Sequence, residues 1–158
     1  MLNRILVAVD SSVRAPAVFD AAAELAKKYE AALYAVRAIV VSPEFPPAAA
    51  VSAADPLPAH LTQLVTLELM ELWKRAPDLV STSPIVAIGQ PWKVILNTAR
   101  DLAVDLIVLG SHGYHGWDRV LGTTAAKVAN LADRNVLVVH AKQDRAPLGQ
   151  DRPGESWH

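Results

Sequence analysis

Leu106-Ile107-Val108-Leu109-Gly110-Ser111-His112-Gly113-Tyr114-His115-Gly116-Trp117-Asp118-Arg119-Val120-Leu121-Gly122-Thr123-Thr124-Ala125 is the stretch on which the reading of this chain turns. It opens with four apolar residues in a row, without the polar alternation of a strand that has one wet face. Such runs belong to strands covered on both sides. Four of the chain's seven glycines follow, from Gly110 to Gly122. Beyond them Ala125, Val128, Ala129 and Ala132 recur at the spacing of a helix with one apolar face. The stretch therefore reads as a buried strand, a glycine-rich loop and a helix.

Outward from it the same pattern repeats. Unalternating apolar runs stand at Ile5–Val9, Leu33–Val36, Ile85–Ile88 and Val136–Val139. Helical spacings lie between them: Val18, Ala21, Ala22, Leu25 and Tyr29; Leu61, Val65, Leu69, Leu72 and Ala76; Val94, Ile95, Thr98 and Leu102. Five strands alternating with four helices predict right-handed crossovers and an α/β fold, a parallel sheet with helices on both faces. This accounts for a hydrophobic content of 52%, above the ordinary globular share. At 158 residues one domain is the expected size. Residues 41–58 hold five of the eleven prolines and read as a long connection outside the pattern. Residues 142–158 are polar and aperiodic and read as a disordered tail, which leaves 1–141 as the domain.

Composition excludes several classes of function. Fifteen Lys and Arg against sixteen Asp and Glu leave a net charge of −1, so no global field gathers nucleic acid or an anionic membrane. The absence of cysteine removes disulfides, iron–sulfur clusters, thiolate zinc sites and cysteine nucleophiles together. The apolar run Ile5–Val9 is too short for a signal peptide or a membrane span. The expectation is a soluble, cytoplasmic protein.

In an open parallel sheet a ligand binds beyond the carboxyl ends of the strands, where strand order reverses. The residues to inspect are Asp10-Ser11-Ser12, Ala38-Ile39-Val40, Gly89-Gln90-Pro91 and Gly110-Ser111-His112-Gly113. The last group leads into Gly122-Thr123-Thr124 at a helix start, where unpaired amides and the helix dipole favour an anion and threonine hydroxyls add donors. This describes a phosphate cradle, although it is neither a Walker A loop nor GxGxxG. A structural glycine turn with Thr123 as helix cap explains the same residues, and on chemistry alone the two readings stand even. Asp10 is open in the same way, as a ligand carboxylate or as a cap for the helix beginning near Arg14.

The array resembles the universal stress protein family. The likeness rests on Arg4-Ile-Leu-Val-Ala-Val-Asp10, Gly89-x-Pro91, Asp105-Leu-Ile-Val-Leu-Gly-Ser-His-Gly113, and Gly122-Thr-Thr leading to Asn135-Val-Leu-Val-Val139, and it covers residues 1 to about 141. Gly110, Gly113, Gly122 and Thr123 match the Gly-x2-Gly-x9-Gly-Ser/Thr motif of ATP-binding members, with eight residues rather than nine between Gly113 and Gly122. Gly116 can take up that one-residue change.

The resemblance implies a Rossmann-like sheet of the adenine nucleotide alpha hydrolase type, with strand order 3-2-1-4-5, and an adenine-nucleotide ligand, ATP or ADP/AMP with Mg2+. It puts Asp10 at the ribose or phosphates, Ala38 at the adenine through its backbone, Val9 near the base and Leu109 against base and sugar. Gly110, His112, Gly113, Gly122, Thr123 and Thr124 make up the rest of the expected site. It also implies a homodimer through Asn135–His140, consistent with an apolar strand at a sheet edge. The function expected is a stress-response sensor or regulator with an unknown protein partner. The alternatives are an interaction dimer with an empty pocket, supported by the shortened loop, and a nucleotide hydrolase.

Other candidates carry less. His112 and His115 have a spacing that can hold a metal, yet they fall in a loop with only Asp118 near, and a phosphate-facing or exposed histidine is the better reading. Lys127, a turn into the fourth helix, is either a phosphate ligand or a solvated cation. Trp73 and Trp92 read as packing residues, while Trp117 either covers the loop or packs beneath it. For catalysis, Ser11, Ser12 and Ser111 lack a GxSxG elbow and Asp10 lacks a partner carboxylate, so slow hydrolysis of a bound ATP is the most the sequence supports.

Overall fold

A computed structural model describes residues 1–40, 57–80, 82–111 and 121–141. The chain alternates β1 (Arg4–Ala8), α1 (Ala15–Tyr29), β2 (Ala32–Ile39), α2 (Leu57–Trp73), β3 (Ile85–Ile88), α3 (Pro91–Asp101), β4 (Leu106–Gly110), α4 (Thr123–Leu131) and β5 (Asn135–Val139). All four strand pairings are parallel, in the order β3-β2-β1-β4-β5. The expected strand–helix alternation and strand order are met. The proline-rich connection and the tail fall outside the described residues, apart from the start of α2.

The unalternating runs are explained by two apolar layers. Ile5, Val7, Leu33, Ala35, Leu106 and Val108 face α1 and α2, meeting Val18, Phe19, Ala22, Leu69 and Trp73. Their neighbours Leu6, Val36, Ile107 and Leu109 face α3 and α4, meeting Val94, Ile95, Ala99, Ala125 and Val128. In the middle of β1, β2 and β4 successive residues are thus buried on opposite sides, which leaves no wetted face for polar alternation there. The edge strands β3 and β5 are partly exposed. Trp73 packs as expected, its ring edge-on to Phe19 with centroids 5.4 Å apart. Trp92 packs differently: Lys93 and Lys127 hold their ammonium groups over its ring at 5.3 and 5.4 Å. Lys127 is therefore engaged with an aromatic face rather than simply solvated.

Element boundaries depart from the periodicity where the tertiary structure intervenes. β2 continues past its apolar run to Ile39, because Arg37, Ala38 and Ile39 pair with β3 and Arg37 bonds Glu68 of α2. Ala76 shares the apolar spacing of α2 but lies beyond its end, in turns closed by three-residue hydrogen bonds such as Ala76 N–H to the Trp73 carbonyl. Gly89, with φ +153, makes the turn from β3 into α3, and a Cβ there would meet Val94 Cγ2 at 3.3 Å. Only glycine accepts that backbone without strain. Among the described residues, no helix is long and apolar enough to cross a membrane.

Asp105 ties the two central strands together at their amino ends. Its carboxylate accepts the Asn3 and Arg4 backbone N–H groups at 2.8 and 2.9 Å, and its own N–H donates to the Arg4 carbonyl. These two donors, Asn3 first, hold the carboxyl below its usual range. A depressed folded-state pKa means stabilisation that is present above the unfolded value and lost as pH falls through the folded one. Asp105→Ala is expected to lower the melting temperature by a few degrees at pH 7, with the gap to wild type closing on acidification below about pH 4. A gap that stays constant with pH would show that the carboxylate charge plays no part.

Candidate functional site

β1 lies between β2 and β4, so the chain leaves it toward one side of the sheet and returns on the other. A crevice opens at its carboxyl end for that reason. Among the described residues it encloses a cavity of about 210 Å³. Val9 and Asp10 after β1, Ala38 of β2, and Leu109 and Gly110 of β4 reach it from the sheet. Ile95 of α3 and Thr124 of α4 reach it from one face, Arg14 and Val18 from the other. The walls are mainly aliphatic, and the polar groups sit on the loops that rise from the strand ends and, at Thr124, on the first turn of α4. An apolar floor with a few convergent polar groups is the usual form of a small-molecule site.

The loop after β1 is built by short-range hydrogen bonds. The Asp10 carboxylate accepts the Ser12 N–H at 2.9 Å, and the Ser12 hydroxyl accepts the Arg14 N–H at 3.3 Å. The Ser12 carbonyl then accepts the Ala15 N–H at 3.0 Å. Asp10 therefore closes an Asx turn ahead of α1 and does not cap the helix. The N-cap residue is Arg14, and its side chain makes no capping bond. The cap reading of Asp10 is corrected by this: Asp10 stands four residues before the N-cap position, and its carboxylate takes the Ser12 amide instead of a helical one.

The entry to α4 yields a second correction. Gly122, not Thr123, is the N-cap residue, and no side chain caps the helix. The first α-helical bond runs from the Ala126 N–H to the Gly122 carbonyl, so the amides of Thr123, Thr124 and Ala125 precede the hydrogen-bonded ladder. Thr123 is the first helical residue, which puts its hydroxyl past the position from which a cap reaches back.

Gly110 has a packing explanation that periodicity did not reveal. A Cβ there would lie 3.0 Å from Val18 Cγ2, so the missing side chain lets α1 close against β4. Of the residues expected at the site, Val9, Asp10, Ala38, Leu109, Gly110 and Thr124 come together on the cavity. Gly122 and Thr123 adjoin Thr124 at the start of α4. His112 and Gly113 lie outside the described residues, as do His115, Gly116, Trp117 and Asp118 of the same loop.

Two features of the cavity escaped the reading of the sequence. Among the described residues, Arg14 is the only basic side chain lining it. Ser111, also on the lining, has its Oγ 2.8 Å from Nδ1 of His140, just beyond β5. The pair forms because the Ser111 N–H continues the β4–β5 ladder to the Val139 carbonyl at 3.0 Å. His140 is exposed, and among the described residues no carboxylate orients its ring, so the pair lacks the third group of an activated serine.

Comparison with known proteins places the chain among relatives. The model of the universal stress protein family matches residues 1–140. The universal stress protein A homolog 1 of Coxiella burnetii is 32% identical over 147 residues, covering 89% of this chain and 98% of its own. Among solved structures, the universal stress protein UspA from Lactobacillus plantarum is 30% identical with a TM-score of 0.64, covering 87% of this chain and 97% of its own. A universal stress protein solved in complex with cAMP is 26% identical with a TM-score of 0.61, covering 89% of this chain and 98% of that one.

Proposed function

The chain belongs to the universal stress protein family, and we propose that it is an adenine-nucleotide-binding member acting in the cytoplasm as a stress-response sensor or regulator. The observation that carries this reading is the cavity at the β1/β4 switch point, with the uncapped start of α4 beside it. The aliphatic walls suit the faces of a purine, and Ala38 leaves the β2 backbone open to its edge. Asp10 offers a carboxylate to ribose hydroxyls. The amides of Thr123, Thr124 and Ala125, together with the Thr124 hydroxyl, offer donors to phosphate. The cAMP complex of a relative lends support to a ligand that joins adenine to phosphate.

ATP with Mg2+ is the ligand we favour, with ADP or AMP as alternatives. Mg2+ is usually held by one or two carboxylates plus substrate phosphates. Among the described residues Asp10 is the one carboxylate on the lining, and with Mg2+ bound it would serve that role in place of the ribose contact. The Ser111–His140 contact gives no reason to assign more than slow hydrolysis. Regulation would pass through β5: Val139 and Ala141 line the cavity, so what fills it bears on the strand we take as the homodimer edge.

The test is to purify the chain, release bound small molecules by heat, and weigh them. An adenine nucleotide is expected, along with calorimetric binding of ATP to the stripped protein. No retained nucleotide, and no heat with ATP, ADP, AMP or cAMP, would replace this reading with that of an interaction dimer that keeps the fold and leaves the crevice empty.

A further inference from the structure

Arg14 is out of place by the rules that govern helices. It holds the N-cap position of α1, where Ser, Thr, Asp or Asn would satisfy the first amides, and its side chain makes no capping bond. Its cation lies at the positive end of the helix dipole, and α1 has no acidic residue in its first turn to offset it. The guanidinium has no ion-pair or hydrogen-bond partner among the described residues, although Lys27, Arg37, Lys74, Arg75 and Arg134 all have one. Two backbone hydrogen bonds, from Arg14 N–H to Ser12 Oγ and from Ala15 N–H to the Ser12 carbonyl, hold the residue at the cavity rim. A residue that breaks its local rule while lining a pocket is where a ligand role is expected.

We infer that Arg14 reads a phosphate of the bound nucleotide, so that the site selects phosphorylated nucleosides over the nucleoside itself. The inference rests on the nucleotide reading of the cavity and adds to it the group that discriminates. Guanidinium presents a planar fork of donors that matches two phosphate oxygens, which an ammonium does not. Among the described residues, the rest of the lining offers phosphate only neutral donors, and Asp10 is its one acidic side chain. Arg14 is the group on the lining that reverses that sign.

The experiment is calorimetric titration of wild type, Arg14→Gln and Arg14→Lys with adenosine, AMP and ATP at two salt concentrations. Arg14→Gln is expected to weaken AMP and ATP by about ten- to a hundredfold, the worth of a charge-assisted hydrogen bond, while leaving adenosine within about twofold. Arg14→Lys should fall between, and the salt dependence of ATP binding should flatten in Arg14→Gln. Because the cation opposes the helix dipole, Arg14→Gln should melt no lower than wild type, which separates lost recognition from lost folding.

Equal losses for adenosine and ATP would overturn the inference, as would unchanged ATP affinity in Arg14→Gln; both leave the nucleotide site standing. Wild type that binds none of the three ligands would remove the nucleotide reading, and the inference with it.

Discussion

Gly122→Val is expected to weaken ATP binding by at least about a hundredfold while the protein remains folded. Gly122 has φ −58 and ψ 155, a conformation open to any residue, so valine brings no backbone strain. What it brings is position. A side chain at the N-cap lies over the amides of the second and third helical residues, which is how Ser or Asp caps a helix. Two methyl groups there would cover the donors of Thr124 and Ala125, the groups we assign to phosphate. Losing two or more charge-assisted hydrogen bonds, each worth about 1.5–3 kcal/mol, gives a loss of this order. Gly122→Asp sharpens the test, because a carboxylate would cap α4 from within. It should raise the melting temperature by a few degrees and still abolish binding, by occupying the amides and repelling phosphate. If either variant binds ATP as wild type does, the phosphate is not held at α4.

How much of this could be seen in the sequence depended on the distance over which residues act. The inner strands were legible because they are buried on both sides, and a strand such as Leu106–Leu109 then declares itself as an unbroken apolar run. The edge strands β3 and β5 are apolar runs as well, although only partly buried. The crevice followed from topology, since strict alternation leaves few ways to order a parallel sheet and the ligand end is set by strand direction. Groups whose role depends on a partner far along the chain were not legible. Gly110 reads as a loop glycine, and only the approach of Val18 shows that it also seats α1 against β4. Ser111 and His140 are 29 residues apart, and the β4–β5 register alone brings them together. Arg14 marked only where a helix begins, since no local pattern shows that its side chain lines the cavity.

The cap assignments failed for a different reason. Thr123 and Asp10 are residue types that cap helices, but Thr ranks level with Gly, and residue type alone did not show that Gly122 and Arg14 hold the N-cap positions. Three helix starts border the cavity, those of α1, α3 and α4, with Arg14, Gln90 and Gly122 at their N-cap positions, and none has a side-chain cap. Of these, Arg14 breaks the local preference outright, and the open amides of α4 are donors that a ligand could satisfy in place of a cap. The same observation links the two affinity experiments. Gly122→Asp and Arg14→Gln each improve a helix start by ordinary rules, and each is expected to cost binding.

Val138→Pro is expected to convert a dimer to monomer, with little change in the fold of each copy. β5 lies at the sheet edge, beside β4 alone. Its backbone directions follow from one contact: the Val139 carbonyl accepts the N–H of Ser111, just past β4, so Val139 and Leu137 direct their backbone groups inward. Along a strand the bonding direction alternates, which turns the N–H and C=O of Val136 and Val138 toward the open edge. Proline at 138 thus removes an outward donor without touching the β4 ladder, and places its ring where a neighbouring strand would lie. Leu137, 38% exposed on this edge strand, supplies apolar surface for a second copy to cover. A strand that pairs with its own copy across a two-fold axis loses that donor on both copies at once, so the association should weaken by well over tenfold. Sedimentation velocity at micromolar concentration reads the result directly. Val138→Ala keeps the donor and should remain dimeric, which separates the hydrogen bond from the lost side chain. A wild type that sediments as a monomer, or a Val138→Pro dimer indistinguishable from it, would mean that this edge pairs with nothing, and that Val139 and Ala141 have no neighbouring copy to which the state of the cavity could be passed.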